Sequence, residues 1–330
     1  MDNSTVRWGL IGPGAVAQQF AQAAAALETT ALVAVRGRDA ARCQAFVRQH
    51  VPRARVHSEL HTLLAEPQID MVYIATPHSA HAQAVHQALL AGKGVLCEKP
   101  LAPTATQARS LITLAQERGV FLMEALWSRF LPSWQQARAW LTADLIGVPQ
   151  ALQSSFCFDV AFDANSRLFN PALAGGALLD IGVYNLSASQ WLMQREPLVF
   201  HVDGVLASTG VEQRVAVTLD YGGGMVSQFV CAFDGVADNR LRVFGPRGHI
   251  ELGHNFWQAT EATLVRPGHA PLHVPCPFRI NGFEYQIEHA QQCWRAGAVQ
   301  SLVIPHQDSL AVVTLIDAMR QRLGVRYPFE

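Results

Sequence analysis

Between Arg7 and about Glu124, short apolar runs alternate with helical segments, and this rhythm constrains the fold more than any other feature of the chain. The runs VRWGLIG, ALVAV, DMVYIAT, GVLCEK and GVFLME read as buried strands. Helical stretches such as Ala15–Ala26 and Ala40–His50 lie between them. A strand that must run parallel to the one before it needs a crossover, and a helix supplies it. The pattern therefore predicts a doubly wound parallel sheet with helices on both faces, an α/β fold.

After about Gly147 the rhythm changes. In RVAVTLDY the apolar residues Val215, Val217, Leu219 and Tyr221 recur every second position and share one face. Gly222–Gly224 turns the chain, and MVSQFVCAF returns as the partner strand of a hairpin in an antiparallel or mixed sheet. Helices over roughly Phe283–Ala296 and Gln307–Leu323 close the chain, and there is no internal repeat. The reading is a dinucleotide-binding domain over residues 1–125 and a substrate and dimerisation domain over residues 126–330. The second is α+β, built on a largely antiparallel open sheet, and the last helices are free to pack back on the first. Too few helices follow Gly147 to cover both faces of such a sheet. A partly apolar open face invites a twofold partner, so a homodimer is expected.

With 330 residues, half of them apolar, the chain can bury two cores. A net charge of −1 and the absence of any Lys/Arg block speak against nucleic acid or an anionic membrane as partner. No apolar run approaches the roughly 20 residues that span a bilayer. The start, MDNSTVRWGL, carries an acid and no long apolar stretch, so it does not read as a signal peptide. The six cysteines, Cys43, Cys97, Cys157, Cys231, Cys276 and Cys293, form no C-x-x-C pair and read as reduced thiols of a cytoplasmic protein.

The stretch GLIGPGAVA sets Gly12 and Gly14 after the first strand and at the start of the first helix. There Gly12 permits a tight turn, and Gly14 lets a phosphate approach the backbone. The helix N-terminus adds N–H donors and the positive end of its dipole. Ala17 occupies the third glycine position, an accepted variant. Gly12, Pro13, Gly14, Ala15 and Val16 are thus the candidate phosphate loop. An acid at the end of the second strand would hold the 2′-hydroxyl of NAD. VAVRGRDAAR instead offers Arg36 and Arg38, whose guanidinium groups suit the 2′-phosphate of NADP. NADP is the expected cofactor, ahead of NAD, and Asp39 reads as the cap of the next helix.

GKGVLCEKPLAPT puts Glu98, Lys99 and Pro100 at the C-terminal end of a predicted strand, the edge where open α/β sheets bind ligands. Pro100 is a candidate for a cis bond. ATPHSAHA ends the preceding strand with Thr76 and Pro77, and His81 opens a helix. His78, His81 and His86 lack a nearby Cys, Asp or Glu to complete a metal set, and no metal is expected. Further on, GGALLDIGVYNLSASQWLM reads as a buried helix, yet it carries Asp180 and Tyr184 one turn apart on one face. On the residues alone this is either an acid–phenol pair facing a cleft or a capped Asp beside a core Tyr.

Taken together, these motifs resemble the glucose–fructose oxidoreductase/inositol dehydrogenase/MocA superfamily over nearly the whole chain. Gly12 and Gly14 match its nucleotide loop, Thr76, Pro77 and His81 its T-P-x-x-x-H element, and Glu98-Lys99-Pro100 its lysine motif. GGALLDIGVY is similar to its second-domain helix, but Tyr184 stands where most members have His. That departure, with MEALWSRFLP over Met123–Pro132, resembles the dimeric dihydrodiol dehydrogenase branch.

The resemblance implies an NADP-dependent oxidoreductase of cyclic diols, polyols or sugars, with Thr76, Pro77, His81, Glu98 and Lys99 beside the cofactor. It also implies that Lys99 and the Asp180–Tyr184 pair serve one cleft. Hydride removal from an alcohol carbon needs a group to take the hydroxyl proton. Tyr184 can do so if a cation favours its phenolate, because a free phenol has a pKa of about 10. Lys99 is that cation, and Asp180 orients it or bonds a substrate hydroxyl. Trp127, Phe158, Trp257 and Phe283 are the implied ring-stacking walls of the substrate pocket. Arg129 reaches either a substrate hydroxyl or an ordinary ion-pair partner. Sugar or anhydrosugar reduction is the alternative chemistry. A nucleotide-sensing regulator without chemistry is the alternative class.

Overall fold

The computed structural model describes residues 5–330. The chain forms two compact units, Met1–Trp127 with Arg279–Val313, and Ser128–Phe278 with Thr314–Glu330. Along the first unit run β1 (Val6–Ile11), α1 (Ala15–Ala26), β2 (Thr30–Arg36), α2 (Ala40–His50), β3 (Arg55–His57), α3 (Leu60–Leu64), β4 (Met71–Ile74), α4 (His81–Leu90), β5 (Gly94–Glu98), α5 (Ala105–Arg118) and β6 (Leu122–Ala125). They build a six-stranded, all-parallel sheet in the order β3-β2-β1-β4-β5-β6. This is the Rossmann order, in which the chain reverses direction across the sheet beside β1. The runs read as strands are strands. The short β3 and α3 carried no sequence signal, because three residues, Arg55, Val56 and His57, cannot display a period.

One core lies where Ile11, Val72, Ile74, Val95 and Cys97 from the strands meet Val85, Ala88, Leu89, Leu111, Ile112 and Ala115 from α4 and α5. Each large aliphatic side chain buried there contributes about 1.5–3 kcal/mol. Asp39 caps α2 by accepting from the Arg42 N–H at 3.0 Å.

The second unit holds α6 (Pro132–Thr142), β7 (Ala151–Cys157), α7 (Val183–Met193), β8 (Val199–Leu206), β9 (Glu212–Asp220), β10 (Val226–Ala232), β11 (Leu241–Gly245), β12 (Gly248–Leu252), β13 (Glu261–Val265) and β14 (Leu272–Pro275). Its eight-stranded sheet has the order β14-β13-β12-β11-β7-β10-β9-β8. Only β10 and β7 pair in parallel; every other neighbour is antiparallel. In the β9–β10 hairpin, Val215, Val217, Leu219 and Tyr221 are buried, whereas Arg214, Ala216 and Asp220 are exposed. The period-two pattern therefore lays its apolar face against the helices, and α7 packs on β7 and β10. Two helices follow. α8 (Phe283–Arg295) and residues 306–313 of α9 (His306–Leu323) belong to the first unit, and the rest of α9 to the second.

The stretch from Gly175 to Met193 is not one α-helix. Leu178–Gly182 is a π turn, and the α-helix proper begins at Val183. The Val183 N–H reaches back five residues to the Leu178 carbonyl. Two contacts flank the wider turn. Gly182 sits against Cys231 of β10, whose Sγ would lie 3.2 Å from any Cβ there. The Leu178 N–H is held by the buried Glu212 carboxylate at 3.1 Å. Such turns within helices are frequent at functional sites.

No helix among the described residues is long and apolar enough to cross a membrane. All six cysteines are free thiols.

Candidate active site

Register aligns the loops of the first unit. Ile11 pairs with Arg36 on one side and with Ile74 on the other, and Ile74 pairs with Cys97. The next residues of all these strands therefore emerge at one edge: Gly12 after β1, Gly37 after β2, Ala75 and Thr76 after β4, and Glu98 and Lys99 at the end of β5. Gly12 has φ +95°, and a Cβ on it would lie 2.7 Å from the Ala75 carbonyl oxygen and 2.8 Å from the Thr76 nitrogen. Only glycine fits there. A Cβ on Gly14 would meet nothing within 4 Å, so open space faces the start of α1. No side chain caps that helix start, and its first turn carries no acid. Uncapped N–H groups, a positive dipole end and open space suit a phosphate. Ala15 and Val16, in the first turn, are exposed and half-buried, while Pro13 is buried.

Two orphaned polar atoms mark the same edge. The Nε of Arg36 and the Oγ1 of Thr76 are buried with no hydrogen-bond partner. Arg38 is exposed. The groups present thus fit a dinucleotide carrying an anionic group near Arg36. Gly37, between the two arginines, was not singled out from sequence. A Cβ on it would lie 2.8 Å from both Pro13 and the Cys43 thiol.

The Lys99–Pro100 bond is cis. Glu98 is buried, and burial raises its pKa to about 7 against the lowering effects of the Tyr73 bond and the neighbouring Lys99. The Tyr73 hydroxyl donates to Glu98 Oε1 at 2.5 Å, and the Phe20 ring stacks on Tyr73 at 3.9 Å. Tyr73 and Phe20 carried no functional signal in the sequence, because each reads as an ordinary apolar position of its strand or helix.

His81 differs from its expected role as a cofactor contact. It is fully buried, its Nδ1 lies 2.7 Å from the Pro100 carbonyl oxygen and its Nε2 2.8 Å from that of Thr76. It therefore has no surface to offer a ligand and ties the Thr76 loop to the Lys99 loop. Burial lowers its pKa. Among the described residues no group of three His, Cys, Asp or Glu is placed to hold a metal.

Within the second unit, Tyr184 stands on α7 and Asp180 in the π turn before it, both buried. The Tyr184 ring lies 5.6 Å from Phe156, which stacks on Trp257 at 3.4 Å and meets Phe158 at 6.2 Å. The structure thus brings Tyr184, Phe158 and Trp257 together through Phe156, a residue the sequence did not single out. Trp127 and Phe283 pair in the first unit, at 5.0 Å.

Arg129 was expected at a substrate hydroxyl or in an ordinary ion pair. It is fully buried, and its guanidinium donates to the Ser187 hydroxyl at 2.9 Å, the Ser187 carbonyl at 3.2 Å and Gln190 Oε1 at 3.0 Å. These bonds brace α7. A buried guanidinium needs such a set of acceptors, and a helix flank supplies them.

Asp180 has a partner the sequence did not suggest. Arg167 Nη1 donates to its Oδ1 at 2.7 Å. The preceding Gly175–Gly176 explains how the two meet. The Gly176 N–H donates to the Leu168 carbonyl at 2.8 Å, and a Cβ on Gly175 would lie 2.7 Å from that oxygen. Gly176 has φ +122°, and its missing Cβ leaves room for Glu212. Tyr327 adds a bond from its hydroxyl to the Gly175 carbonyl at 2.8 Å.

A parallel sheet in this order, with a glycine loop, an open helix start and orphaned polar atoms at its carboxyl edge, has the features of a dinucleotide-binding domain. A family model described as an oxidoreductase family with an NAD-binding Rossmann fold matches residues 6–126, and that of the GFO/IDH/MocA C-terminal domain matches residues 134–251. The chain belongs to the GFO/IDH/MocA family, NAD(P)-dependent oxidoreductases that act on hydroxyl groups. The trans-1,2-dihydrobenzene-1,2-diol dehydrogenases of Macaca fascicularis and Homo sapiens are each 32% identical to it over 98% of this chain and 98% of theirs. Aldose-aldose oxidoreductase from Caulobacter crescentus, complexed with glycerol, superimposes with a TM-score of 0.87 at 25% identity, covering 97% of this chain and 98% of that one. A 3-ketoreductase from Actinomadura kijaniata, in complex with NADP and TDP-benzene, does so with a TM-score of 0.85 at 25% identity, covering 96% and 98%.

Proposed function

We propose that the protein is an NADP-dependent dehydrogenase of a cyclic diol, with Tyr184 as the group that exchanges the substrate hydroxyl proton. The observation that carries this reading is the aromatic wall of Phe156, Phe158 and Trp257 beside the Tyr184 ring. Flat rings suit the face of a cyclic substrate, and the one phenol at that wall supplies an acid or base. The identity to trans-1,2-dihydrobenzene-1,2-diol dehydrogenases supports the same substrate class. NADP, when bound, accepts or returns the hydride. Lys99 and Asp180 are the other catalytic residues of this reading, Asp180 as the anchor for a substrate hydroxyl. His81 acts by holding the Thr76 and Lys99 loops in place. Sugar or anhydrosugar reduction is the second reading, favoured by the likeness to an aldose-aldose oxidoreductase. Following NADPH absorbance across a panel of trans-cyclohexanediols and aldoses separates the two, and no turnover of any member would leave a nucleotide-sensing role instead.

NADP binds at least tenfold more tightly than NAD in this reading, through Arg36 and Arg38. Tenfold corresponds to about 1.4 kcal/mol, within reach of one charge-assisted contact. Fluorescence titration of both cofactors tests it. Equal affinities, or selectivity unchanged in Arg38→Ala, would remove the arginines from the argument.

The active form is proposed to be a homodimer through the open face of the second sheet. Val199, Val205 and Leu206 on β8 and Val230 on β10 are exposed, an apolar surface that a twofold copy would cover. Light scattering at micromolar concentration should give twice the chain mass, and a monomer mass would refute the proposal. The six free thiols suit a reducing compartment, which supports a cytoplasmic location.

A further inference from the structure

We infer that Arg167 is a specificity residue, forming with Asp180 a two-part site for a vicinal diol; this rests on the function proposed above. The two side chains are unequally placed. Asp180 is 5% exposed and Arg167 is 56% exposed, joined by the 2.7 Å bond from Nη1 to Oδ1. A guanidinium carries five N–H donors in a planar fork, and more than half of this side chain meets solvent. A carboxylate accepts and a guanidinium donates. Two adjacent hydroxyls match such a pair, one donating to Asp180 and its neighbour accepting from Arg167. A lone hydroxyl can satisfy only one half.

The backbone under Arg167 is fixed for this task. Leu168, the next residue, accepts the Gly176 N–H, and its carbonyl occupies the space a Cβ on Gly175 would fill. Phe169 packs on Phe233 at 5.6 Å, and Phe233 on Phe158 at 5.3 Å, so the segment is joined to the aromatic wall. Arg167 is therefore held between two anchors, the glycine pair before Asp180 and the rings around Phe158. An exposed ion pair that only neutralised Asp180 would need neither. Preorganisation of this kind lets a contact discriminate between ligands instead of being spent on ordering the side chain.

The test compares trans-cyclohexane-1,2-diol with cyclohexanol in the wild-type enzyme, Arg167→Met and Arg167→Lys. The wild type should prefer the diol at least tenfold in kcat/KM. Arg167→Met should lower kcat/KM for the diol at least tenfold more than for cyclohexanol, with the extra loss in KM. Arg167→Lys, which keeps a cation beside Asp180 but not the planar fork, should recover part of the preference. A purely structural role would depress both alcohols equally, and that result overturns the inference. Diol titration followed by tryptophan fluorescence keeps this outcome separate from the proposed reaction. If neither alcohol turns over, the dehydrogenase reading fails. Diol binding weakened at least tenfold in Arg167→Met would still support the diol site, and unchanged or absent binding would overturn it.

Discussion

Tyr184→Phe lowers kcat by 10²-fold or more while cofactor affinity stays within about twofold. General acid–base catalysis by a positioned side chain is worth about 10²–10⁴, and removing one hydroxyl removes that and little else. The ring remains at 5.6 Å from Phe156, so the aromatic wall keeps its packing. The glycine loop and the arginines lie in the other unit and are untouched. Lys99→Met should also cut kcat. If Tyr184 works as the base and Lys99 is a cation that favours its phenolate, the rising limb of the variant's pH–rate profile for diol oxidation moves to higher pH. Steady-state kinetics with the best diol of the panel, alongside NADP titration, checks both. A folded Tyr184→Phe enzyme with near wild-type turnover would end the tyrosine assignment and leave Lys99 as the candidate acid–base group.

What the sequence disclosed depended on how far each determinant reaches along the chain. Gly12, Gly14, Thr76 and the Glu98–Pro100 motif were readable because each sits within a few residues of the strand end that presents it. The β9–β10 hairpin was readable for the same reason, since its alternation and its three glycines are contiguous. Arg167, Phe156 and Tyr73 were not. Arg167 meets Asp180 where Leu168 is laid on the Gly175–Gly176 backbone, and the string NSRLFNP contains nothing that announces it. Tyr73 meets Glu98 across two strands. The contacts around the π turn were unreadable because they come from Cys231 and Glu212, residues 49 and 30 positions beyond Gly182. The burial of His81 and Arg129 was likewise unreadable, because sequence gives residue type without burial.

Glu212 gives the second large effect, and it is an effect on stability. Its carboxylate is fully buried, accepts the Leu178 N–H, and fills the space where Gly176 would otherwise carry a Cβ. Burial raises its pKa from 4.5 to about 7, against the backbone bonds and the Arg320 charge that favour the ionised form. A carboxyl whose folded pKa lies above its unfolded value binds its proton more tightly in the native state. Its stabilisation is fully present below about pH 4.5 and is lost as pH rises through about 7, an amount of about 3 kcal/mol. Glu212→Gln should keep the acceptor for Leu178 and remove the titration. The variant's unfolding free energy, from urea curves between pH 4.5 and 8, should therefore gain on the wild type as pH rises, by up to about 3 kcal/mol at pH 8. Glu98, with its own pKa raised to about 7, contributes the same slope to both proteins. His81, His289 and His306, whose pKa values burial lowers, contribute the opposite slope to both. All four cancel in the difference, which isolates Glu212. Parallel curves for the two proteins would mean that Glu212 stays ionised at no cost under the turn that carries Asp180.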